Sequence, residues 1–431
     1  MASAVELPEQ RSDRLIVVSA DGHAGPPVAA FGAFVDPKYR DLFEDYSRMV
    51  ESFDAAFAEI YQELVGSDLD ARTALRVERE TTAGLYQPED RLRDLDSDGV
   101  AAEVIFPQGS VPFHKYPPQF STPHDVEFPA SNEVLVAGCR AYNRWLADLC
   151  AAAPGRHLGV AVVPIRDVSA AVAEVEWAHE AGLRGVSLPS VSMGEHPDFP
   201  YYNDPVYEPF WAACAERGMP LHCHGTSPGH YGNGPDAIAL IFAECDFYAR
   251  RPLWFLIFSG VFDRHPSLQL VFTEQRAGWV TSTLEFLDSI YPMPGGGLVD
   301  VASALKLSRR PSEFFASNCW IGASFMSRSE VAARPGIGVD RIMWGRDYPH
   351  PEGTWPLTAQ SLRMTFGDVP EAELRPMLGE NAIRCYGLER APLESIAARI
   401  GPRAADVLQP LDEIPSGGDL TWAFRSTSGF S

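Results

Sequence analysis

Eight short apolar runs rich in β-branched residues, each followed by a longer amphipathic stretch, constrain this chain more than any other feature. The runs fall at 15–21, 101–107, 158–165, 184–190, 219–224, 268–274, 318–324 and 341–347. Helix-like segments lie between them, among them 131–152, 168–181, 205–217, 236–262 and 277–290. Strands that alternate with helices build a parallel sheet, because each return to the sheet passes through a helical crossover. Eight such units predict a closed (β/α)8 barrel of the TIM type. The competing architecture is a doubly wound open sheet. Its nucleotide-binding mark, G-x-G-x-x-G after a strand, is absent here.

The chain exceeds a minimal barrel in several places. Residues 24–98 read as a large, partly helical insertion after the first strand. Residues 108–130, rich in Pro, Phe and His, follow the second strand and predict a lid over the active face. YPMPGGGLVD at 291–300 reads as a flexible turn, and the tail at 403–431 is expected to pack on the barrel or on a second subunit of a homo-oligomer. None of these resembles an interdomain linker, so 1–431 is read as a single domain with insertions.

Composition excludes several classes of partner. The net charge of −23 opposes binding to phosphate backbones or anionic membrane surfaces. The polar start, MASAVELPEQRSDR, is unlike a secretory signal, and the longest apolar stretch, 253–262, is too short to span a bilayer. The 7 cysteines form no C-x-x-C pair, which argues against a disulfide framework and a thiolate zinc site. Reduced thiols in a cytoplasmic protein are the expectation.

Four predicted strand ends carry polar groups that are costly to bury without a partner. They are Ser19-Ala20-Asp21-Gly22-His23, His222-Cys223-His224, Thr273-Glu274-Gln275-Arg276 and Arg346-Asp347-Tyr348-Pro349-His350. Residues two apart share a strand face. Ser19, Asp21 and His23 are therefore expected to point inward together, as are His222 and His224. Each motif has an ordinary explanation alone: a helix cap, a core histidine, a rim salt bridge or a turn. Together they place seven metal-competent donors at the end of the barrel where active sites lie. Asp21, His23, His222, His224, Glu274, Asp347 and His350 are thus the candidate ligands.

These motifs resemble those of the amidohydrolase superfamily, in the amidohydrolase-related (amidohydrolase 2) branch that includes decarboxylases and hydratases. The resemblance spans roughly 15–390. It rests on D-G-H, P-L-H-C-H-G, H-P-S-L-Q-L-V-F-T-E and W-G-R-D-Y-P-H, with a closing helix at 367–387. Departures from the family pattern shift the expected chemistry. Asp21 replaces the first His of the usual H-x-H, Glu274 replaces the usual His, and the strand-four run at 185–190 has no bridging Lys.

A blend of carboxylate and imidazole suits Fe or Mn, and seven donors suit two ions. The chain also resembles an offshoot of microbial nonheme dinuclear iron monooxygenases of natural-product metabolism, through H-A-G-P-P and E-Q-x-x-G-W. That resemblance implies two Fe ions (or Fe with Mn), O2, an external electron donor, and hydroxylation of an unactivated C–H bond in a hydrophobic carboxylate- or thioester-bearing small molecule. Asp347, Glu274 and His224 are then expected at the reacting centre. The alternative is a redox-neutral hydrolase or decarboxylase using Zn or Mn, with Asp347 as the general base.

Candidate substrate contacts are Arg276, which could bind a carboxylate, together with Phe113, His114, His230, Tyr231, Trp279, Trp320 and Trp355. Tyr116, Phe120, Phe325 and His124 are further pocket or loop candidates. Arg346 alternates with Asp347 and is expected to point away from the interior in a structural role.

Overall fold

The computed structural model describes residues 13–65, 71–109, 111–114, 131–189, 199–225, 235–291 and 307–425. Every predicted run contains a strand. The strands are β1 (Val18–Ser19), β2 (His23–Ala24, just past the first run), β3 (Ala102–Pro107), β4 (His157–Val162), β5 (Gly185–Ser187), β6 (Leu221–Cys223), β7 (Leu270–Thr273), β8 (Cys319–Ser324) and β9 (Ile342–Gly345). All pairings are parallel, in the order β1-β3-β4-β5-β6-β7-β8-β9, with β2 also on β3. The barrel closes where Ala20 N–H donates to Trp344 O at 2.8 Å and Gly22 bridges Tyr348. The fold is the expected (β/α)8 barrel.

The first run is split, and the split matters. Val18 and Ala20 belong to the cluster that fills the barrel, with Val104, Phe106, Val160, Val271 and Met343. Ser19 therefore points out of the interior, against expectation. Its hydroxyl accepts Arg346 N–H at 2.9 Å. The break between β1 and β2 shifts the two-residue alternation, which lets Asp21 and His23 turn inward.

Helices cover the outside of the sheet. Asn132–Ala151 buries Val134, Gly138, Ala141, Trp145 and Leu149, spaced three and four apart as on one helical face. Pro88–Ser97 starts with Pro in its first turn, followed by Glu89 and Asp90, which suits the positive end of the helix dipole. This helix ends the 24–98 segment and leads into β3. The barrel's N-terminal end is plugged by Asn381–Tyr386, whose Ala382, Cys385 and Tyr386 join the interior cluster. Trp422, Ala423 and Phe424 of the C-terminal segment pack on Phe325, Leu357 and Met364. Among the described residues, no helix is long and apolar enough to cross a membrane.

Candidate metal centre

The strand ends bring six of the seven expected donors together. Asp21, His23, His224 and Glu274 each offer a ligand atom within 4.8 Å of the others, as do His23, Asp347 and His350. A third group joins Glu274, Asp347 and His350 to Glu352, a carboxylate that is not among the expected donors.

Local backbone geometry aims these groups. Thr273 faces inward on β7, so simple alternation would turn Glu274 away. Glu274 instead has φ of 57°, in the left-handed region that non-glycine residues rarely adopt, and its carboxylate reaches His224 Nδ1 at 3.3 Å. Asp347, just beyond β9, has φ of 52°. Such strain, of order 1–3 kcal/mol per residue, persists where the surroundings over-determine it, and it clusters at functional sites. Close packing around the site needs glycines. A Cβ on Gly345 would lie 2.8 Å from Asp21 Cβ, and one on Gly353 would lie 2.6 Å from Asp347 O.

Hydrogen bonds then fix the rings. His23 Nδ1–H donates to Pro107 O at 3.0 Å, turning Nε2 to the centre. His350 Nε2–H donates to Gln108 Oε1 at 2.8 Å, turning Nδ1 toward Asp347 Oδ1, also at 2.8 Å. Orientation of this kind, through the far nitrogen, is typical of ligating histidines. His224 Nε2 lies 3.4 Å from Asp21 Oδ1, and His23 Nε2 lies 3.6 Å from the same oxygen. Ser324 Oγ donates to the other oxygen of Asp21.

The arrangement is incomplete without positive charge. Both oxygens of Asp347, His23 Nε2 and His350 Nδ1 are buried without a hydrogen-bond partner. Burial pushes Asp347 well above the usual carboxylate range, with repulsion from Asp21 and Glu352 adding to it and His23 opposing it. Glu274 is raised likewise, by burial and then by Asp347 and Asp21. Burial also lowers His23, assisted by His350. A divalent cation would satisfy these lone pairs and offset the repulsion. The donors fit such an ion, and their mix of oxygen and imidazole suits Mn²⁺ among others.

His222 stands apart from the three groups. Its ring is stacked on Tyr386 at 5.7 Å, one layer below the centre, with Nδ1 3.5 Å from Thr273 Oγ1. Gly185 makes room for it, since a Cβ there would meet its Nε2 at 2.7 Å.

Several expected substrate contacts lie elsewhere. Trp320 is the second residue of β8 and lies beside Arg341 and Arg384 at the barrel's opposite end; four residues of strand, roughly 13 Å, separate it from Ser324. Trp279 packs behind β7 on Phe272, with Arg250 over its ring. Phe113 is buried against Phe43 and Tyr46. His114 is buried against Leu135 O, and burial holds it down at about 4. Arg276, by contrast, stays beside the centre, two residues past Glu274, where it bonds at 2.8 Å to Asp246, a carboxylate whose charge acts on Glu274. Phe325 is covered by Trp422 and Arg425. Trp355 stays near the centre, packed on Tyr348 with Arg79 over its ring. Tyr116, Phe120, His124, His230, Tyr231, the 291–300 turn after its first residue and most of the 108–130 segment fall outside the described residues.

A buried ion network underlies the centre, and only Arg346 in it was anticipated. Arg346 points away from the interior as expected and binds Glu103 at 3.0 Å and Asp98 at 3.1 Å. Glu103 also accepts from Arg91. A single acid inside the apolar run AAEVIFP was the available signal for Glu103. Arg79, from the 24–98 segment, donates to His350 O at 2.8 Å and Pro351 O at 3.1 Å, holding the loop that carries His350.

Fold and site together define a barrel with a candidate metal centre at the C-terminal ends of its strands. Residues 95–388 match the family model Amidohydrolase (Amidohydro_2), and the chain belongs to that family. Gamma-resorcylate decarboxylase of Rhodococcus jostii (strain RHA1) is 28% identical over 222 residues, covering 49% of this chain and 65% of the relative, just under two thirds of its length. Gamma-resorcylate decarboxylase of Rhizobium sp. (strain MTP-10005) is 27% identical over 270 residues, covering 60% of this chain and 76% of the relative. Among solved structures, 5-carboxyvanillate decarboxylase from Novosphingobium aromaticivorans, complexed with manganese and 4-hydroxy-3-methoxy-5-nitrobenzoic acid, superposes with a TM-score of 0.60. It is 19% identical, covering 88% of this chain and 97% of that one, a likeness that shows the fold.

These findings correct the leading expectation. The relatives are decarboxylases, and nothing among them supports a dinuclear iron monooxygenase. The expected pair of Fe ions is likewise unsupported, and O2 and an external electron donor have no place in the redox-neutral alternative.

Proposed function

We propose that the protein is a metal-dependent, nonoxidative decarboxylase of a hydroxylated aromatic acid. The observation that carries this reading is the placement of Asp347. Its buried carboxyl has both oxygens free of hydrogen bonds and faces a cation-binding set of Asp21, His23, His224 and Glu274. The relatives' activity on gamma-resorcylate, and the manganese and hydroxynitrobenzoic acid in the related structure, support the substrate class and the metal.

A single Mn²⁺ is the proposed ion; when bound it supplies Lewis acidity toward a substrate carboxylate and a neighbouring hydroxyl oxygen. Asp21, His23, His224 and Glu274 would hold it, with Ser324 and Pro107 O orienting Asp21 and His23. Asp347 then acts as the general acid. Cleavage of the bond between ring carbon and carboxylate leaves its electron pair on the ring carbon. Asp347 delivers a proton there, and CO2 departs. No oxidant or reductant enters the balance. His350 Nδ1, 2.8 Å from Asp347 Oδ1, takes up a proton from solvent water and passes it to Asp347 to restore the acid, and Gln108 fixes its ring for that transfer.

The test is CO2 release from a panel of ortho-hydroxybenzoic acids by protein stripped of metal and reloaded with Mn²⁺. The proposal predicts release that needs the metal and yields one decarboxylated phenol per CO2. Absence of release from every ortho-hydroxy acid, with the metal bound, would reject it.

A further inference from the structure

The buried network beneath the centre joins two of its residues through their backbones. Arg91, wholly buried, donates from Nη1 to His23 O at 2.7 Å. Arg346 is part of the chain that carries Asp347, its neighbour. The Arg346 N–H is held by Ser19 Oγ at 2.9 Å, and its carbonyl accepts Thr354 N–H at 3.0 Å. The two guanidiniums meet on one carboxylate: Glu103 takes Arg91 Nε on one oxygen and Arg346 Nη2 on the other, at 3.0 Å. They also share the ring of Tyr348, with Arg346 4.3 Å and Arg91 5.0 Å from its centroid. The Tyr348 carbonyl accepts His23 N–H at 2.6 Å, and its hydroxyl donates to Asp94 at 2.6 Å. Asp98, held by Thr358 Oγ1 at 2.8 Å, accepts the second arm of Arg346.

Such a cluster is expensive to bury and adds little to stability that a well-packed apolar set would not. Its geometry serves another end. His23 and Asp347 face each other across the centre, His23 Nε2 lying 3.3 Å from Asp347 Oδ1. They come from opposite sides of the barrel's closing seam, where backbone bonds from His23 N–H to Tyr348 O at 2.6 Å and from Asp347 N–H to Asp21 O at 3.2 Å join the two segments above the clamp. We infer that Arg91, Glu103 and Arg346 form a clamp across that seam, positioning His23 to bind the cation and the chain that carries Asp347 to face it. Glu103 is the pin: removing its charge leaves two guanidiniums facing each other below the site. Burial alone would push its carboxyl up, but Arg91 and then Arg346 outweigh burial and hold it at about 2. It is therefore a carboxylate at any working pH.

The inference rests on the cation site of the proposed function and not on its substrate, so the test reads the metal. Mn²⁺ is titrated into metal-free wild type, Glu103→Gln and Arg346→Lys. Affinity is followed by calorimetry, the ion's surroundings by electron paramagnetic resonance, and thermal stability is recorded on the metal-free proteins. Glu103→Gln is expected to weaken Mn²⁺ binding by about 10- to 100-fold, the usual cost of disturbing the groups that orient ligands, and to change the spectrum of the bound ion. Arg346→Lys keeps the charge but cannot fork between Glu103 and Asp98, and is expected to weaken binding in the same direction. It carries the test should Glu103→Gln fail to fold. Wild-type affinity and an unchanged spectrum in a folded variant, whatever its melting temperature, would overturn the clamp. Loss of decarboxylation in the wild type would refute the proposed reaction but leave these metal readouts standing.

Discussion

His350 Nδ1 lies 2.8 Å from Asp347 Oδ1 while its Nε2 donates to Gln108, so the imidazole is fixed between an amide and the carboxyl that faces the cation set. That relationship separates Asp347 from the groups that only bind metal. Asp347→Asn should keep Mn²⁺ bound and lose turnover by about 10²- to 10⁴-fold, the range of a missing general acid. Rate and metal content, measured on one preparation, check this. Loss of the metal together with the rate would make Asp347 chiefly a ligand.

Asp21 is the reverse case. It is fully buried, accepts from Ser324, and lies within 3.6 Å of both His23 and His224. Asp21→Asn should cost more than the 10- to 100-fold typical of an orienting group, so Mn²⁺ affinity should fall by at least about 100-fold. Equilibrium dialysis gives the number. Chelation of the wild type should also lower its melting temperature, since an ion that binds only the folded state stabilises it.

His222 lies below the cluster, stacked on Tyr386, where it packs rather than ligates. His222→Phe keeps an aromatic ring on Tyr386 and should retain the wild-type metal content. Elemental analysis showing one equivalent fewer would instead support a second ion.

Much of this was legible in the sequence, for a physical reason. Barrel strands buried on both faces read as continuous apolar runs, so all eight could be located. The ligands sit at the ends of those runs, where a polar residue contrasts with its neighbours. What alternation could not foresee is where alternation fails. The break after Ser19 and the left-handed Glu274 change which way side chains point, and neither leaves a mark in composition. Long-range partners were equally hidden: Arg79, Arg91, Gln108 and Glu352 become informative only once the fold brings them to the site. Aromatic residues misled because Trp279 and Trp320 are as apolar in core packing as in a pocket.

The buried histidines outside the centre set an acid limit on stability. Burial depresses His114 and His157 each to about 4. Unfolded, each would titrate near 6.5. The unfolded chain therefore binds more protons between about 6.5 and 4, and stability falls as pH falls through that window. Each such histidine contributes a slope approaching about 1.4 kcal/mol per pH unit. Urea unfolding of metal-free protein across this range measures the slope. His114→Gln should make it shallower, and an unchanged slope would contradict the buried neutral state.

Redox-neutral decarboxylation at a cation site can be separated from oxygenation by following CO2 release and O2 consumption together, on Mn²⁺-loaded protein with an ortho-hydroxybenzoic acid, in air and under strict anaerobiosis. A decarboxylase should release CO2 at equal rates in the two atmospheres, take up no O2, and form no product in metal-free controls. Turnover that stops without O2, with one O2 consumed per product, would contradict it.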